Sequence, residues 1–365
     1  MDAAPIICIS DSHLGYRHRS KKDRLKDYEK AFEESLEKAL SLKPTVIVFC
    51  GDLLHHPKPE PIAMKKVVQG LLRAAEKCPV IVVIGNHEIS GHLSTTYTPI
   101  YSDLHENIHV LSTDSPHVKL SVSGKTIGFH GFQYIRNRDL AEKTLRETSK
   151  ETGGCDFDIL CLHQAIEGYL APHEISRACL REVAPKFNLM LFGHVHKHQK
   201  IAEVFDVCPA YYVGSTERIS FNEWENTTGF MAFENMDFAN PQFIEVSSAR
   251  MRRVTLDLGE KNPQELNVFI ESKIRENSDA QLLQVEVKAD VAGDILDVRR
   301  NWAEQYPTIT VLDVNLAPKT QEADIVLERL ELSSDTIREY FSKTGLKGQD
   351  ELLETCIGLF EEHAR

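Results

Sequence analysis

IICISDSHLG, residues 6–15, joins four apolar residues to an Asp-x-His pair. A run this short and rich in β-branched residues reads as a buried strand, with the polar pair on the loop leaving its carboxyl end. The same arrangement recurs along the chain. VIVFC at 46–50 leads into GDLLHH, and VIVVI at 80–84 leads into GNHE. An apolar run ending at Leu162 precedes His163, and another ending at Phe192 precedes GHVHKH at 193–198. Helical patterns over Asp23–Leu42 and Glu60–Lys77 separate the first three runs. Such alternation predicts parallel strands with helices packed on them. In open α/β sheets the ligand-bearing loops lie beyond the carboxyl ends of the strands, so five loops are expected to converge on one rim.

Further on, strands are expected near 118–122 and 125–130 about a Ser123-Gly124 turn, and a helix near 137–149. Strands follow near 157–162, 188–192, 199–204, 210–214, 229–234 and 242–246. The fold class is α/β, a two-sheet layered sandwich flanked by helices. From Arg250 a smaller α+β module begins, with strands at 254–258, 282–287 and 308–314 and helical patterns at 263–276 and 291–305. The expected organisation is a main domain over 1–249, the α+β module over 250–317, a polar linker over 318–332 and a helix–loop–helix over 333–365. Ile337, Tyr340 and Phe341 form one apolar set there, and Leu352, Leu353, Ile357, Leu359 and Phe360 another. Helices this short are marginal alone in water, so they are expected to pack on the parent domain or on a partner.

The 365 residues exceed one ordinary domain of about 150. Lys and Arg number 42 against 55 for Asp and Glu, a net charge of −13. That excludes a globally basic nucleic-acid binder, though not a local basic patch. No apolar run approaches the roughly 18 residues of a membrane span, and no basic leader precedes the first strand. A cytoplasmic (nucleoid-associated) or nuclear protein is expected. The eight Cys contain no C-x-x-C pair and read as free thiols in a reducing compartment.

The five loops hold eight of the 16 His residues. Asp, Asn and His offer oxygen and imidazole atoms without thiolate, a set suited to Mn, Fe or Zn. Side chains two apart on extended chain point the same way, so D-x-H and H-x-H each supply two ligands. Asp11, His13, Asp52, Asn86, His163, His194 and His196 are the candidate ligands. Seven are more than one octahedral ion with open positions would use; two ions sharing a bridging carboxylate would use them all. His56 and His198 read as neighbours rather than ligands. His18, His92, His105, His109, His117, His130, His173 and His363 read as structural or surface residues.

These motifs resemble those of the calcineurin-like metallophosphoesterases. Within that superfamily, DSHLGYRHRSKKDRLKDYEKAF, GDLLHH, GNHE, GHVHKHQ and the segment VGSTERISFNE at 213–223 resemble the DNA double-strand-break repair nucleases of the meiotic-recombination-eleven (SbcD-like) type. The resemblance covers about residues 6–320. It implies Asp11, His13 and His196 on a first metal, Asn86, His163 and His194 on a second, and Asp52 as the bridge. It implies two Mn²⁺ per chain, with Fe, Zn or Mg as possible occupants. His87 would contact the scissile phosphate and protonate the leaving oxygen, and His55 would position His87 or the phosphate. The implied activity is Mn-dependent phosphodiester hydrolysis by metal-bound hydroxide: a double-strand 3′–5′ exonuclease and single-strand or hairpin endonuclease. The resemblance also implies that the α+β module caps DNA. A homodimer would form through Val67, Val68, Leu71 and Leu72 with Ile100, Tyr101 and Leu104. Residues 333–365 would grip the coiled coil of an ABC-type ATPase of the chromosome-maintenance-like kind. Glu88 stands where that family usually has Asp, and His56 where it varies.

A local feature agrees with DNA as substrate. Tyr16–Lys30 carries seven basic and three acidic residues immediately after the first ligand pair. Arg17, Arg19, Lys21 and Lys22 are candidate backbone-phosphate contacts, with Arg136, Arg138, Arg252 and Arg253 as further ones. Two other functions fit the motifs: a phosphoesterase acting on small or cyclic nucleotides, which would leave the basic rim and the later domains without a use, and a non-catalytic scaffold, which would not need the complete ligand set.

Overall fold

The central strands form because their sequences are apolar on both faces, and each face finds a partner. In the computed structural model, which describes residues 4–17, 23–89, 96–122, 124–291, 298, 302–317 and 353, the chain divides into two compact units, Met1–Leu316 and Ala317–Arg365. The first unit carries the sheets. Its opening strands are β1 (Ile6–Ile9), β2 (Val46–Cys50), β3 (Val80–Val83) and β4 (Ile108–Leu111), which pair in parallel in that order. β11 (Gly229–Phe233) and β12 (Gln242–Glu245) extend the sheet antiparallel beyond β1. The second sheet takes β5 (His117–Val122), β6 (Lys125–His130), β7 (Phe157–His163), β8 (Leu189–Gly193), β9 (Gln199–Lys200) and β10 (Ala210–Tyr212), in the order β5-β6-β7-β8-β10-β9.

Alternate residues of each strand serve different layers. Cys8, Val48 and Val83 meet Phe129, Ile159 and Leu191 between the sheets. Ile7, Phe49 and Val82 face outward, onto helices α1 (Asp23–Ser41) and α2 (Pro61–Ala75). Helices α3 (Arg138–Thr148) and α4 (Arg177–Val183) cover Leu160, Met190 and Phe192 on the second sheet's outer face. Strands buried on both faces read as continuous apolar runs for this reason. Burying β2 whole, at roughly 1.5–3 kcal/mol per large apolar side chain, is worth several kcal/mol before chain entropy is counted. The expected layered α/β sandwich is therefore the observed one.

A third sheet holds β13 (Met251–Asp257), β14 (Leu282–Lys288) and β15 (Val311–Ala317) in that order. β13 and β14 run parallel. Helix α5 (Pro263–Glu276) connects them, opened by an Asn262/Glu265 capping box that satisfies two backbone N–H groups. Its Leu266, Ile270 and Ile274 pack on Val285 and Val287 to make a separate core.

Four elements differ from expectation. β4 and α4 were not anticipated. The strand expected at 199–204 stops at Lys200, because the chain turns there: Val204 N–H donates to the Ile201 carbonyl, and Cys208 N–H to that of Val204. Of the helix expected over 291–305, the described residues show only α6 (Trp302–Gln305). The tail helices lie outside the described residues. No helix among the described residues is long and apolar enough to cross a membrane.

Candidate metal centre

The loops after β1, β2, β3, β7 and β8 meet at one end of the paired sheets. Four candidate ligands there have left-handed backbones: Asp11 (φ 50°), His13 (φ 45°), Asp52 (φ 50°) and His194 (φ 83°). Side-chain-bearing residues hold such conformations at about 1–3 kcal/mol each, and only where their surroundings over-determine them. Here the first loop is clamped along the second. Asp11 N–H donates to the Gly51 carbonyl at 3.1 Å, and His13 N–H to that of Asp52 at 2.8 Å. Gly51, at φ 92°, leaves room for the His163 ring, and a Cβ on Gly85 would collide with the Asp52 carboxylate.

All seven sequence-predicted ligands are brought together. Ligand atoms of Asp11, His13 and His196 lie within 4.8 Å of one another, as do those of Asp11, Asp52 and His163. Asp52 Oδ2 is 3.2 Å from His163 Nε2 and 3.7 Å from His13 Nε2, so it lies between the two groups. Asn86 Oδ1 is 2.9 Å from His194 Nδ1 and 3.0 Å from His163 Nε2.

The tautomers show what this set needs. His163 Nδ1–H donates to the Cys50 carbonyl at 2.8 Å, which leaves Nε2 of the neutral ring with a lone pair aimed at the Asn86 oxygen. His196 Nδ1 faces the Glu223 carboxylate at 3.1 Å, leaving Nε2 aimed at His13 Nε2, also 3.1 Å away. Lone pairs facing lone pairs at these distances repel unless positive charge lies between them. Burial acts to lower His163, but the Asp52 carboxylate and its hydrogen bond hold it up at about 10. Burial acts the same way on His196, and the Glu223 hydrogen bond and Asp11 hold it at about 9. Burial and then His163 push His194 down to about 3. Burial would raise Asp52, but the His163 partner keeps it well below the usual carboxylate range. A largely buried cluster of four imidazoles, an amide oxygen and two carboxylates fits divalent cations.

His87 stands beside the set. Its backbone N–H donates to Asp52 Oδ1 at 2.9 Å, and its Nδ1–H donates to the His55 carbonyl at 3.0 Å. The His55 ring stacks on His87, with centroids 4.5 Å apart and planes at 27°, and its Nδ1 lies 3.2 Å from His13 Nδ1. His55 thus meets His87 through carbonyl and ring, and His13 through its nitrogen. Burial and then His87 push it down to about 3. Glu88 accepts from Gly85 N–H at 3.0 Å and Leu54 N–H at 3.3 Å, tying the third loop to the second. Burial, with Asp52 nearby, raises it to about 8.

Sequence reasoning missed two residues. Glu223 orients His196; it ends the segment at 213–223, but nothing in that pattern pairs it with a histidine. Tyr134, whose hydroxyl donates to Glu174 at 3.0 Å, sets its ring 5.6 Å from that of His194.

The peripheral candidates sort by their contacts. Arg17 pairs with Glu60, while Arg19, Lys21 and Lys22 lie outside the described residues. Arg24, one of the seven bases counted in that segment, is buried and donates to Asp27 and the Arg218 carbonyl, so it is structural. Arg138, Arg252 and Arg253 pair with Glu142, Asp279 and Glu286. His198 stacks on Phe243 at 4.2 Å, outside the ligand set. His130 bonds Asp158 at 2.8 Å and lies 2.8 Å from His117, a structural cluster. The proposed dimer residues need correction. Val67 and Leu71 are core, because α2 turns that face to the sheet, and Tyr101, on the separate turn Thr98–Asp103, is nearly fully buried. An apolar groove open to solvent, about 250 Å³ in volume, is lined by Pro61, Met64, Val68, Tyr97, Ile100 and Leu104, with Tyr101 forming part of its wall.

Residues 4–198 match the family described as calcineurin-like phosphoesterase. Three archaeal relatives carry the name DNA double-strand break repair protein Mre11. That of Methanocaldococcus jannaschii is 32% identical over 225 residues, 60% of this chain and 58% of the relative. That of Methanococcus maripaludis is 21% identical over 368 residues, 98% of this chain and 94% of the relative. That of Archaeoglobus fulgidus is 26% identical over 398 residues, 97% of this chain and 81% of the relative. The first of these alignments thus spans just over half the relative's length.

Proposed function

The chain belongs to the calcineurin-like phosphoesterase family, and from that premise we propose that it is a Mn²⁺-dependent DNA nuclease of double-strand-break repair, with exonuclease and endonuclease activity. The observation that carries the reading is the convergence of seven side chains able to ligate metal, with His87 beside them. The names of the three archaeal relatives support the choice of substrate, as do the basic residues at 17–22 that follow the first ligand pair.

Asp11, His13 and His196 would hold one ion, Asn86, His163 and His194 the other, and Asp52 both. When bound, the two ions supply positive charge to a phosphate and acidify water. The remaining work falls to this chain's own residues. Asp52 fixes the His87 backbone, and the His55 carbonyl fixes the His87 ring. Because Nδ1 of His87 is committed to that carbonyl, Nε2 is the atom left to protonate the leaving oxygen. His55 Nδ1 also lies 3.2 Å from His13 Nδ1, where it would help to orient that ring. Arg19, Lys21 and Lys22, with Arg17 once it leaves Glu60, would hold backbone phosphates without reading sequence.

Two partners complete the reading. The groove of Val68 and Ile100 would meet its own copy in a two-fold dimer, the commonest symmetry of soluble oligomers. Residues 333–365 would lay their apolar faces on the coiled coil of an ABC-type ATPase. The test is cleavage of linear duplex and hairpin DNA with Mn²⁺, beside p-nitrophenyl phosphodiesters and cyclic nucleotides. Cleavage of DNA with little turnover of the small substrates is expected; the reverse would make this a small-nucleotide phosphoesterase.

A further inference from the structure

The helical turn Phe221–Glu223 sends three consecutive side chains in three directions. Phe221 is buried against Ala249, Met251, Leu282 and Val311, at the base of the third sheet, with Trp224 packed on the same cluster. Asn222 accepts from Arg253 Nη1 at 3.1 Å, and Arg253 on β13 also pairs with Glu286 on β14 at 2.9 Å. Glu223 Oε1 faces His196 Nδ1 at 3.1 Å, while Oε2 accepts from Ile219 N–H at 2.9 Å. The same stretch is stitched to the entry of β13: Glu217 Oε2 accepts from Ala249 N–H at 2.9 Å, and Arg218 Nη1 donates to the Ala249 carbonyl at 3.2 Å.

These contacts make one mechanical path. The acceptor on Nδ1 sets both the tautomer and the rotation of His196, and so where its Nε2 lone pair points. That acceptor rides on a turn whose other two side chains belong to the third sheet. A shift of the turn by about 1 Å would stretch a 3.1 Å contact beyond hydrogen-bond length. We propose that Phe221–Glu223 is a positioning element through which the seating of the third sheet sets the metal affinity of the site that His196 serves, with Glu223 the positioning residue. The inference rests on His196 being a metal ligand.

The test is calorimetric titration of the full chain with Mn²⁺ alone. Glu223→Ala should weaken one of the two sites by about 10–100-fold, the usual effect of removing a histidine's outer partner. Glu223→Gln should restore most of that affinity, because an amide oxygen still accepts from Nδ1–H. Arg253→Ala should weaken the same site by about twofold or more, and should add nothing in the Glu223→Ala background, as coupled residues do. Arg252→Ala, one residue away but paired with Asp279, should leave Mn²⁺ affinity as in the wild type. Melting each variant in chelator checks that it folds, and Glu223→Gln keeps the side-chain volume should Glu223→Ala fail. Unchanged Mn²⁺ affinity in Glu223→Ala or Arg253→Ala, a Gln variant as weak as Ala, or effects that multiply independently would overturn the proposal. A wild-type chain that bound no Mn²⁺ would instead overturn the reading of His196 as a ligand.

Discussion

Replacing Gly85 by Ala adds one methyl group at the most crowded point of the centre. The new Cβ would lie 2.5 Å from the Asp52 backbone nitrogen and 2.7 Å from its carboxylate carbon. Neither neighbour can give easily. Asp52 already holds φ 50°, its carbonyl accepts from His13 N–H, and its carboxylate accepts from His87 N–H. Overpacking of this kind costs about 1–3 kcal/mol. At about 2–4 °C per kcal/mol, the chelated protein should melt roughly 2–12 °C lower. Because the displaced group is the carboxylate placed between both ligand groups, Mn²⁺ affinity should fall by at least about tenfold at both sites, the factor that about 1.4 kcal/mol of lost binding produces. The assays are calorimetric Mn²⁺ titration and a melt in chelator. Gly154→Ala, where an added Cβ meets nothing within 4 Å, is the control and should change neither. If Gly85→Ala bound Mn²⁺ like the wild type, Asp52 could not be the shared carboxylate in this geometry.

Asp52→Ala should abolish binding of both ions, whereas His87→Ala should keep both and lose about 10²–10⁴-fold in cleavage rate, the usual worth of a positioned acid; equal loss of metal in the two would refute their separate roles. Val68→Asp with Ile100→Asp should turn a dimer into a folded monomer in sedimentation, while Leu71→Asp should instead lower the melting temperature, since Leu71 is core. Deleting residues 330–365 should spare Mn²⁺-dependent cleavage of short DNA and abolish co-purification with the ATPase; a truncated chain that still bound it with full affinity would remove the tail as the main contact.

Much of the centre was legible because of where its residues stand in the chain. Asp11, His13, Asp52, Asn86, His163, His194 and His196 each follow an apolar run, and apolar runs of that length have few ways to be buried. Strand direction then sends every such loop to the same end. The sandwich was legible for the same reason: VIVFC and LMLFG, apolar at every position, need cover on both faces. The sequence alone also supplied the chemistry, since Asp, Asn and His without thiolate already point to hard or borderline cations.

Contacts with no periodicity behind them were decided only in three dimensions. Glu223 reaches His196 across 27 residues, on a turn too short to carry a pattern. The strand expected at 199–204 became a turn because Ile201, Val204 and Cys208 reach the core from bent chain as well as from straight. On α2 the pattern marked Val67, Val68, Leu71 and Leu72 as apolar, but only packing told them apart. The sheet took Val67 and Leu71, and Val68 was left beside Ile100 in the open groove. Hydropathy records that a side chain avoids water; which neighbour relieves it depends on how the helix is rotated against the sheet, and long-range packing alone sets that angle.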